Sequence, residues 1–327
     1  MDLRTLRNSR PLRTSAASRI GYDKPIPRAE KLGDHVKGQK QISTRQHGAR
    51  SRATLAVRNR SVSRIGIAPA AVTDALRSIG IEAGSVVLVH PDAMVAAQFP
   101  EMSNPEMTND ARLDLLIASI EAAAGSSGTV VMPAFTYSFT KGEAFDISNT
   151  PSAVGMVTER FRTRPGVCRT ADPIFSFACK GSRAAELCAI RAKECFGSES
   201  VFAALHRMNA HIVDLGCSLS QGGTFVHYIE TSHGVDYRYK KTFSGTVILP
   251  GGETSECSVI YHVRDLTRRS EADLGRLQKR LADEGKLRSA QVGRSRIIAM
   301  TASDLFDTAW KMLQEDPLSL IAEGARR

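Results

Sequence analysis

Apolar residues recur along the chain with two different spacings, which separate predicted helices from predicted strands. From Ala71 to Ile79 they recur every three or four positions, the period of one helix face, and Gly80 ends the pattern. Short continuous apolar runs are typical of strands buried on both faces. We identify such runs at residues 85–89, 129–132 and 211–215.

Helical patterns separate these strands along the chain. They lie over residues 113–120, from the Thr150–Pro151 pair toward Phe161, and around residues 182–191. Strands that alternate with helices predict an α/β sheet with helices on its faces. Sites in such sheets lie at the carboxyl ends of the strands, so we expect a site in the loops after Val89, Met132 and Leu215.

The last third of the chain has a different pattern. Residues 246–249 and 258–263 flank a Pro-Gly-Gly turn and predict a hairpin, which we expect to extend the sheet in antiparallel fashion. Ser270 with Asp273 is expected to open a helix that ends at Gly285. Another strand over residues 296–300 and a helix opened by Thr301 with Asp304 follow.

No internal repeat or Pro/Ser-rich linker interrupts residues 66–320. The predicted fold class is therefore α/β, with a mixed central sheet flanked by helices on both faces. We expect it to form a single domain over residues 66–327.

The net charge of +10 suggests an anionic partner, but the charge is unevenly distributed. Residues 1–64 contain 16 Lys and Arg against 4 Asp and Glu, which leaves the remainder at −2. This stretch has few aromatic or branched apolar residues, so we predict a disordered basic extension over residues 1–65. A translated upstream region, a targeting segment and a nucleic-acid arm are the alternatives.

Nucleic acid and membrane are not expected as partners. No aromatic residues interleave the basic ones, as base stacking would need. No apolar run approaches the roughly 20 residues that cross a bilayer. The six cysteines form no C-x-x-C pair, so we expect free thiols in a reducing cytoplasm and no metal site.

Polar residues at the strand ends are candidates for chemistry. His227 and Glu230 are three apart in a predicted helix and share a face, where the carboxylate would fix the tautomer of a general base. The alternative is a helix-surface pair or a core histidine. Asp172, before Pro173, is either a catalyst or an Asx-turn residue, and His90 after the first strand is either a ligand or a structural hydrogen bonder.

Several common enzyme classes lack support in the sequence. The motifs G-x-G-x-x-G and G-x-x-x-x-G-K-[ST] are absent, so dinucleotide redox chemistry and nucleotide hydrolysis are unsupported. The motif G-x-S-x-G is also absent, which counts against an ordinary α/β-hydrolase.

Ordered strings from about Ala68 to about Ala322 resemble the aminoglycoside 3-N-acetyltransferase family. They include LVH at 88–90, GTVVMPAFT at 128–136, TPS at 150–152, ERFR at 159–162, FGSESVF at 196–202, TFVHYIE at 224–230 and YR at 237–238. The resemblance implies acetyl-CoA as co-substrate and a small-molecule amine acceptor, without a metal. A cytoplasmic enzyme is expected, and a homodimer is among the assemblies that the resemblance allows.

The resemblance also implies roles for individual residues. The catalytic candidates are His227, Asp172, Glu230 and Thr224. The residues expected to line the acetyl-CoA channel are His90, Pro91, Asp92, Ala93, Met94, Pro133, Ala134, Phe135, Thr136 and Ser176.

Two departures from the family pattern bear on the acceptor and the base. His90-Pro91-Asp92 stands where resistance enzymes usually carry His-Ser-Ser, and Asp172-Pro173 stands where they carry His-Pro. The strings DPIFSF at 172–177, HYIE at 227–230 and HGVDYRY at 233–239 look more like a branch linked to surface polysaccharides. We therefore predict His227 as base, oriented by Asp172 or Glu230, with Thr224 or backbone amides as oxyanion donors. Amino-sugar acylation without antibiotic activity, or CoA binding without catalysis, are the alternatives.

Overall fold

The computed structural model describes residues 66–99 and 107–322, so the predicted extension over residues 1–65 lies outside the described residues. The helices are α1 Pro69–Ser78, α2 Ala93–Ala96, α3 Asn109–Ala124, α4 Met156–Arg162, α5 Ala184–Cys188, α6 Val201–Arg207, α7 Leu219–Gly222, α8 Val226–His233, α9 Gly275–Asp283 and α10 Ala302–Glu315. The strands are β1 Val86–Pro91, β2 Thr129–Pro133, β3 Phe145–Asp146, β4 Cys168–Arg169, β5 Phe177–Gly181, β6 His211–Leu215, β7 Arg238–Ile248, β8 Thr254–Arg264, β9 Arg288–Val292 and β10 Ser295–Thr301.

Seven strands form the central sheet in the order β4-β5-β2-β1-β6-β10-β9. The three strands β2, β1 and β6 are parallel, and the outer strands join them in antiparallel fashion. The three apolar runs of the sequence are these parallel strands, because a strand covered on both faces needs apolar residues at successive positions. The predicted mixed sheet is confirmed.

Each face of the sheet carries its own apolar core. On β1, Val87 and Val89 pack in the core that includes Leu116 of α3 and Phe161 of α4. Leu88, which points the opposite way, packs in the core that includes α8, α9 and α10. Helices therefore cover both faces, as predicted.

Two predicted helix starts are wrong. The Thr150 hydroxyl accepts a hydrogen bond from the Asp146 amide and closes a turn, so α4 begins later, after Gly155. Ser270 donates its hydroxyl to the Asp265 carbonyl instead of capping a helix, and α9 begins at Gly275. The predicted cap at Thr301 is confirmed, since its side chain accepts the Asp304 amide.

The predicted hairpin exists, but its expected addition to the central sheet is wrong. Strands β7 and β8 pair over eleven residues each, and β3 joins β7 to complete a separate three-stranded sheet. Neither strand pairs with the central sheet, whose edge strands are β4 and β9. No helix in the described ranges is long and apolar enough to cross a membrane.

The expectation of six free thiols is wrong for one pair. Cys168 on β4 and Cys188 at the end of α5 form a disulfide, with their Cα atoms 6.5 Å apart. The fold brings these two elements together, although the cysteines are separated by 20 positions in sequence. The other four cysteines, all within the described part of the chain, are free.

Candidate active site

The carboxyl ends of β1, β2 and β6 meet at one edge of the central sheet, as the parallel pairing requires. Helix α8 lies against the sheet face that carries Leu88 and Ile212, because Val226 and Ile229 share their core. His227 and Glu230 of α8 are also buried, with exposures of 8% and 0%. The structure therefore makes this pair part of the interior and not a helix-surface pair.

Glu230 is the centre of a buried polar cluster. His227 Nδ1 lies 2.7 Å from Glu230 Oε2, and Arg238 Nε lies 2.6 Å from the same oxygen. The Tyr237 hydroxyl donates to Glu230 Oε1 at 3.0 Å. Gly234 ends α8 in the left-handed conformation at φ 80°, and the chain then turns back so that Tyr237 and Arg238 reach Glu230.

Burial and the charges of this cluster determine whether Glu230 and His227 are ionised. Burial opposes the charge on Glu230, but the Arg238 guanidinium, with His227 and Tyr237, holds the pKa of that carboxyl below its ordinary value. Burial, reinforced by the positive charge of Arg238, lowers the pKa of His227 although Glu230 opposes the shift. The resulting state is an ionised Glu230 beside a neutral imidazole.

The neutral imidazole has a defined tautomer. An ionised carboxylate only accepts hydrogen bonds, so the proton of His227 is on Nδ1 and is donated to Glu230. The other ring nitrogen, Nε2, is then the basic one. The ring is also held by an edge-to-face contact with Phe196, with centroids 5.5 Å apart.

Thr224 lies one turn before His227. Its carbonyl accepts the His227 amide at 3.1 Å, and its own amide donates to the Gly222 carbonyl at 2.7 Å. Its side chain is half-buried. The structure thus brings Thr224, His227 and Glu230 together at the start of α8.

Asp172 has different partners. Its Oδ1 accepts the amides of Ile174 and Phe175, each at 2.8 Å, in an Asx turn, and lies 3.7 Å from the Cys195 sulfur. Burial raises the pKa of Asp172 in spite of these bonds. In the described part of the chain, the carboxylate that orients His227 is Glu230, and no hydrogen bond joins Asp172 to His227.

Asp172 also lines a separate cavity of about 380 Å³ between its loop, the segment around Lys193 and the β7–β8 hairpin. Phe175 and Phe196 lie between this loop and the His227 ring, with their own ring centroids 4.6 Å apart.

Comparisons with known proteins agree with this architecture. Residues 88–314 match the family model described as aminoglycoside 3-N-acetyltransferase. The chain belongs to the aminoglycoside 3-N-acetyltransferase family. It is therefore an acyltransferase, as the sequence predicted.

Individual relatives support the same assignment. Aminoglycoside N(3)-acetyltransferase IV from Salmonella is 28% identical over 257 residues, which cover 77% of this chain and 90% of that protein. The aminoglycoside acetyltransferase AAC(3)-IVa, solved in complex with a gentamicin, has a TM-score of 0.61 at 23% identity and covers 79% of this chain and 92% of its own. AAC-IIIb, solved with CoASH, has a TM-score of 0.63 at 18% identity, with 76% and 96% covered. These two structures share the fold.

The first loop predicted to line an acetyl-CoA channel in this family member lies at the same sheet edge. Pro91 at the end of β1, Asp92, and Ala93 at the start of α2 are half-buried, and Met94 is 66% exposed. The Asp92 carboxylate accepts the Met94 amide at 2.9 Å and caps α2. The exposed Met94 side chain therefore gives this loop an apolar surface that a ligand can reach.

The second predicted loop is interior. The residues concerned are Pro133, Ala134, Phe135, Thr136 and Ser176, all buried. The amides of Ala134 and Thr136 donate to the carbonyls of Ser176 and Ile174, at 2.8 and 3.0 Å. The side chains of this loop therefore lie in the interior at the edge of the sheet, and their place in an acetyl-CoA channel stays a prediction.

Arg169 fixes the position of this second loop by hydrogen bonds. It donates to the Ser176 hydroxyl at 3.0 Å and to the carbonyls of Ala134 and Thr150. Burial, and then the neighbouring Arg162 charge, lower the pKa of Arg169 to about 10.

His90 has a partner that the sequence analysis did not identify. Its Nδ1 lies 2.9 Å from Oδ1 of Asp214, a fully buried residue on the neighbouring strand. Burial raises the pKa of Asp214 against the effect of this bond. Asp214 is a charged residue inside the apolar run 211–215, and this break in the pattern is the sequence signal that could have indicated a polar contact.

Within residues 66–99 and 107–322, no group of three or more His, Cys, Asp or Glu side chains is placed to hold a metal.

Proposed function

We propose that this chain transfers the acetyl group of acetyl-CoA to a primary amine of an aminoglycoside. The observation that carries the proposal is the buried cluster of His227, Glu230 and Arg238, which maintains a neutral, oriented imidazole. Relatives named as aminoglycoside acetyltransferases, and structures of relatives with a gentamicin and with CoASH, support the two substrates.

The reaction needs a base, because an acceptor amine is an ammonium at neutral pH and must lose a proton before it attacks. Nε2 of His227 takes that proton, and the resulting amine nitrogen attacks the thioester carbonyl carbon. As the tetrahedral intermediate collapses, the carbon–sulfur bond breaks, the nitrogen loses its second proton, and the departing CoA sulfur takes up one proton. The other proton leaves from His227 to solvent. The products are the acetylated amine and CoA.

Glu230 and Arg238 have separate roles in this reaction. Glu230 accepts the Nδ1 proton and stabilises the imidazolium that forms when His227 takes the substrate proton. Arg238 keeps Glu230 ionised and opposes protonation of His227 before the substrate arrives. Thr224, half-buried one turn before His227, is our candidate for the donor that stabilises the oxyanion.

The loop from His90 to Met94 is our candidate for the acetyl-CoA contact. The exposed Met94 supplies apolar surface at the carboxyl edge of the central sheet. The Ser176 hydroxyl donates to the Ala134 carbonyl and fixes the buried loop from Pro133 to Thr136, which is our second candidate for the acetyl-CoA channel. We propose a cytoplasmic enzyme, since acetyl-CoA is a cytoplasmic metabolite.

The test is thiol release from acetyl-CoA with gentamicin, apramycin, sisomicin and glucosamine as acceptors. We expect release with the aminoglycosides, and NMR of the product should show acetylation of the 3-amino group. Release with glucosamine alone would support amino-sugar acylation and overturn the aminoglycoside assignment. The absence of release with every amine, from protein that binds CoA, would overturn catalysis.

A further inference from the structure

A second buried imidazole–carboxylate pair lies at the carboxyl edge of the central sheet. His90 on β1 is directly opposite Asp214 on β6, and the Nδ1–Oδ1 distance is 2.9 Å. The side chain of Asp214 is fully buried, and that of His90 is 9% exposed. The acetyl-transfer scheme above makes no use of Asp214.

Asp214 engages one nitrogen of the His90 ring. The contact between Nδ1 and Asp214 Oδ1 leaves Nε2 as the ring nitrogen available to a further partner. Nε2 is buried, and no group in the described part of the chain donates to it. Buried polar atoms in native proteins almost always have a partner, so this unpartnered nitrogen is a candidate for contact with a polar group of a bound molecule.

The pair lies on the same side of the sheet as the proposed base. Side chains alternate along a strand, so His90 shares a face with Leu88, and Asp214 shares it with Ile212. That face carries α8, which contains His227.

The segment leading to α8 passes directly over this pair. A Cβ at Gly222 would lie only 2.2 Å from Asp214 Oδ1 and 3.0 Å from the His90 Cβ. Gly222 precedes Thr224 by two residues, so the pair is next to the site. Only a glycine permits so close an approach.

We propose that Asp214 is a positioning residue that presents the unprotonated Nε2 of His90 to an N–H donor of a bound substrate. The inference rests on the proposed acetyl transfer. Both substrates carry such a donor: the amides of the pantetheine arm of acetyl-CoA, and the ammonium of the acceptor. The two sources share one chemistry, and the kinetic test below separates them.

The decisive variant is His90→Asn. The asparagine amide keeps a donor for Asp214 at the place of Nδ1 but has no atom at the place of Nε2. We expect the KM for one substrate to rise about tenfold, the effect of one lost hydrogen bond, with little change in kcat or Tm. A rise for acetyl-CoA identifies the pantetheine amides, and a rise for gentamicin identifies the ammonium.

A matched control is His211→Asn, at the amino end of the same strand, β6. We expect both KM values to remain those of the wild type in this variant. A folded His90→Asn protein with both KM values unchanged would overturn the proposal.

The tautomer can be measured without any turnover. Protein labelled with ¹⁵N-histidine should show His90 protonated on Nδ1 and unprotonated on Nε2. Asp214→Asn, whose amide both donates and accepts, should weaken this preference and raise the same KM as His90→Asn. A wild-type His90 protonated on Nε2 would overturn the proposal.

Failure of the acetyl-transfer proposal and failure of this inference give different experimental results. If the wild type releases no thiol with any amine, calorimetric titration of CoA and of gentamicin into wild type and His90→Asn still tests the contact. A loss of about tenfold in one affinity supports the inference. Equal affinities for both molecules contradict it.

Discussion

His227 donates its Nδ1 proton to Glu230 across 2.7 Å, within one turn of α8. Because Arg238 lies 2.6 Å from the same carboxylate oxygen, Glu230 stays ionised and the tautomer of His227 is set by the protein. This relationship makes His227 Nε2 the candidate base, and the first two predictions below depend on it.

His227→Ala removes the proposed base. We expect kcat to fall by about 10²- to 10⁴-fold, the usual contribution of general-base catalysis, while the KM for acetyl-CoA changes little. Steady-state thiol release over both substrates measures the two effects. His211→Ala is the control for loss of a histidine away from the site. Turnover near the wild-type value in His227→Ala would rule out the assignment.

Arg238→Gln should move the pH profile of kcat/KM. Burial and then the Arg238 charge hold the pKa of His227 below 6.5, so the acid limb of the wild type lies below that pH. Removing the charge raises the pKa of His227, so the base becomes protonated at a higher pH and the acid limb moves upward.

The surface pair of Arg264 and Glu271, 3.0 Å apart, provides a control in Arg264→Gln. The profile of this variant should match that of the wild type. A downward shift of the acid limb in Arg238→Gln would contradict the electrostatic role of that residue.

Asp172→Asn tests whether the Asp172 charge takes part in catalysis. The asparagine oxygen can still accept the amides of Ile174 and Phe175, so the turn should persist. We expect kcat to fall less than about tenfold, well short of the effect of a lost base. A loss as large as that of His227→Ala would make Asp172 catalytic.

The same variant makes a prediction about stability. Burial raises the pKa of Asp172, so the folded state holds the proton more tightly than the unfolded chain does. The stability that this proton contributes is therefore complete below the ordinary value of 3.8 and is lost as pH rises from there through the raised pKa. The Tm of Asp172→Asn relative to wild type should increase over that range, and a relative decrease would contradict the shift.

Deletion of residues 1–64 should leave acetyl transfer intact. The family match begins at residue 88, and the cut retains Ile67, which is 8% exposed in the core. A longer deletion through residue 80 is the contrast, because it removes α1 with the buried Val72 and Leu76 and should prevent folding. An inactive but folded protein after the shorter deletion would show that the basic segment contributes to the activity.

Much of the architecture follows from local pattern. The runs at 129–132 and 211–215 are strands of the central sheet, and Thr301 caps the last helix, because burial on two faces and capping depend on neighbours in sequence. The wrong helix start at Thr150 has the same origin, because it too was predicted from neighbours in sequence. A threonine before proline can cap a helix or close a turn, and here its hydroxyl bonds to Asp146.

The candidate site was predictable only in part. The three-residue spacing of His227 and Glu230 already puts them on one helix face. Whether Glu230 or Asp172 orients the imidazole was open, since both carboxylates fit the chemistry. The fold decides for Glu230, because Asp172 is engaged by the amides of its own loop.

The three parallel strands, the cap at Thr301, the family and the shared helix face of His227 and Glu230 follow from the amino-acid sequence, because each depends on residues close together or on motifs in order. The contacts of Arg238 with Glu230 and of His90 with Asp214 follow from the fold. The latter two are 124 positions apart and meet because parallel strands place their carboxyl ends side by side. Contacts of this kind depend on chain topology, which no local pattern encodes.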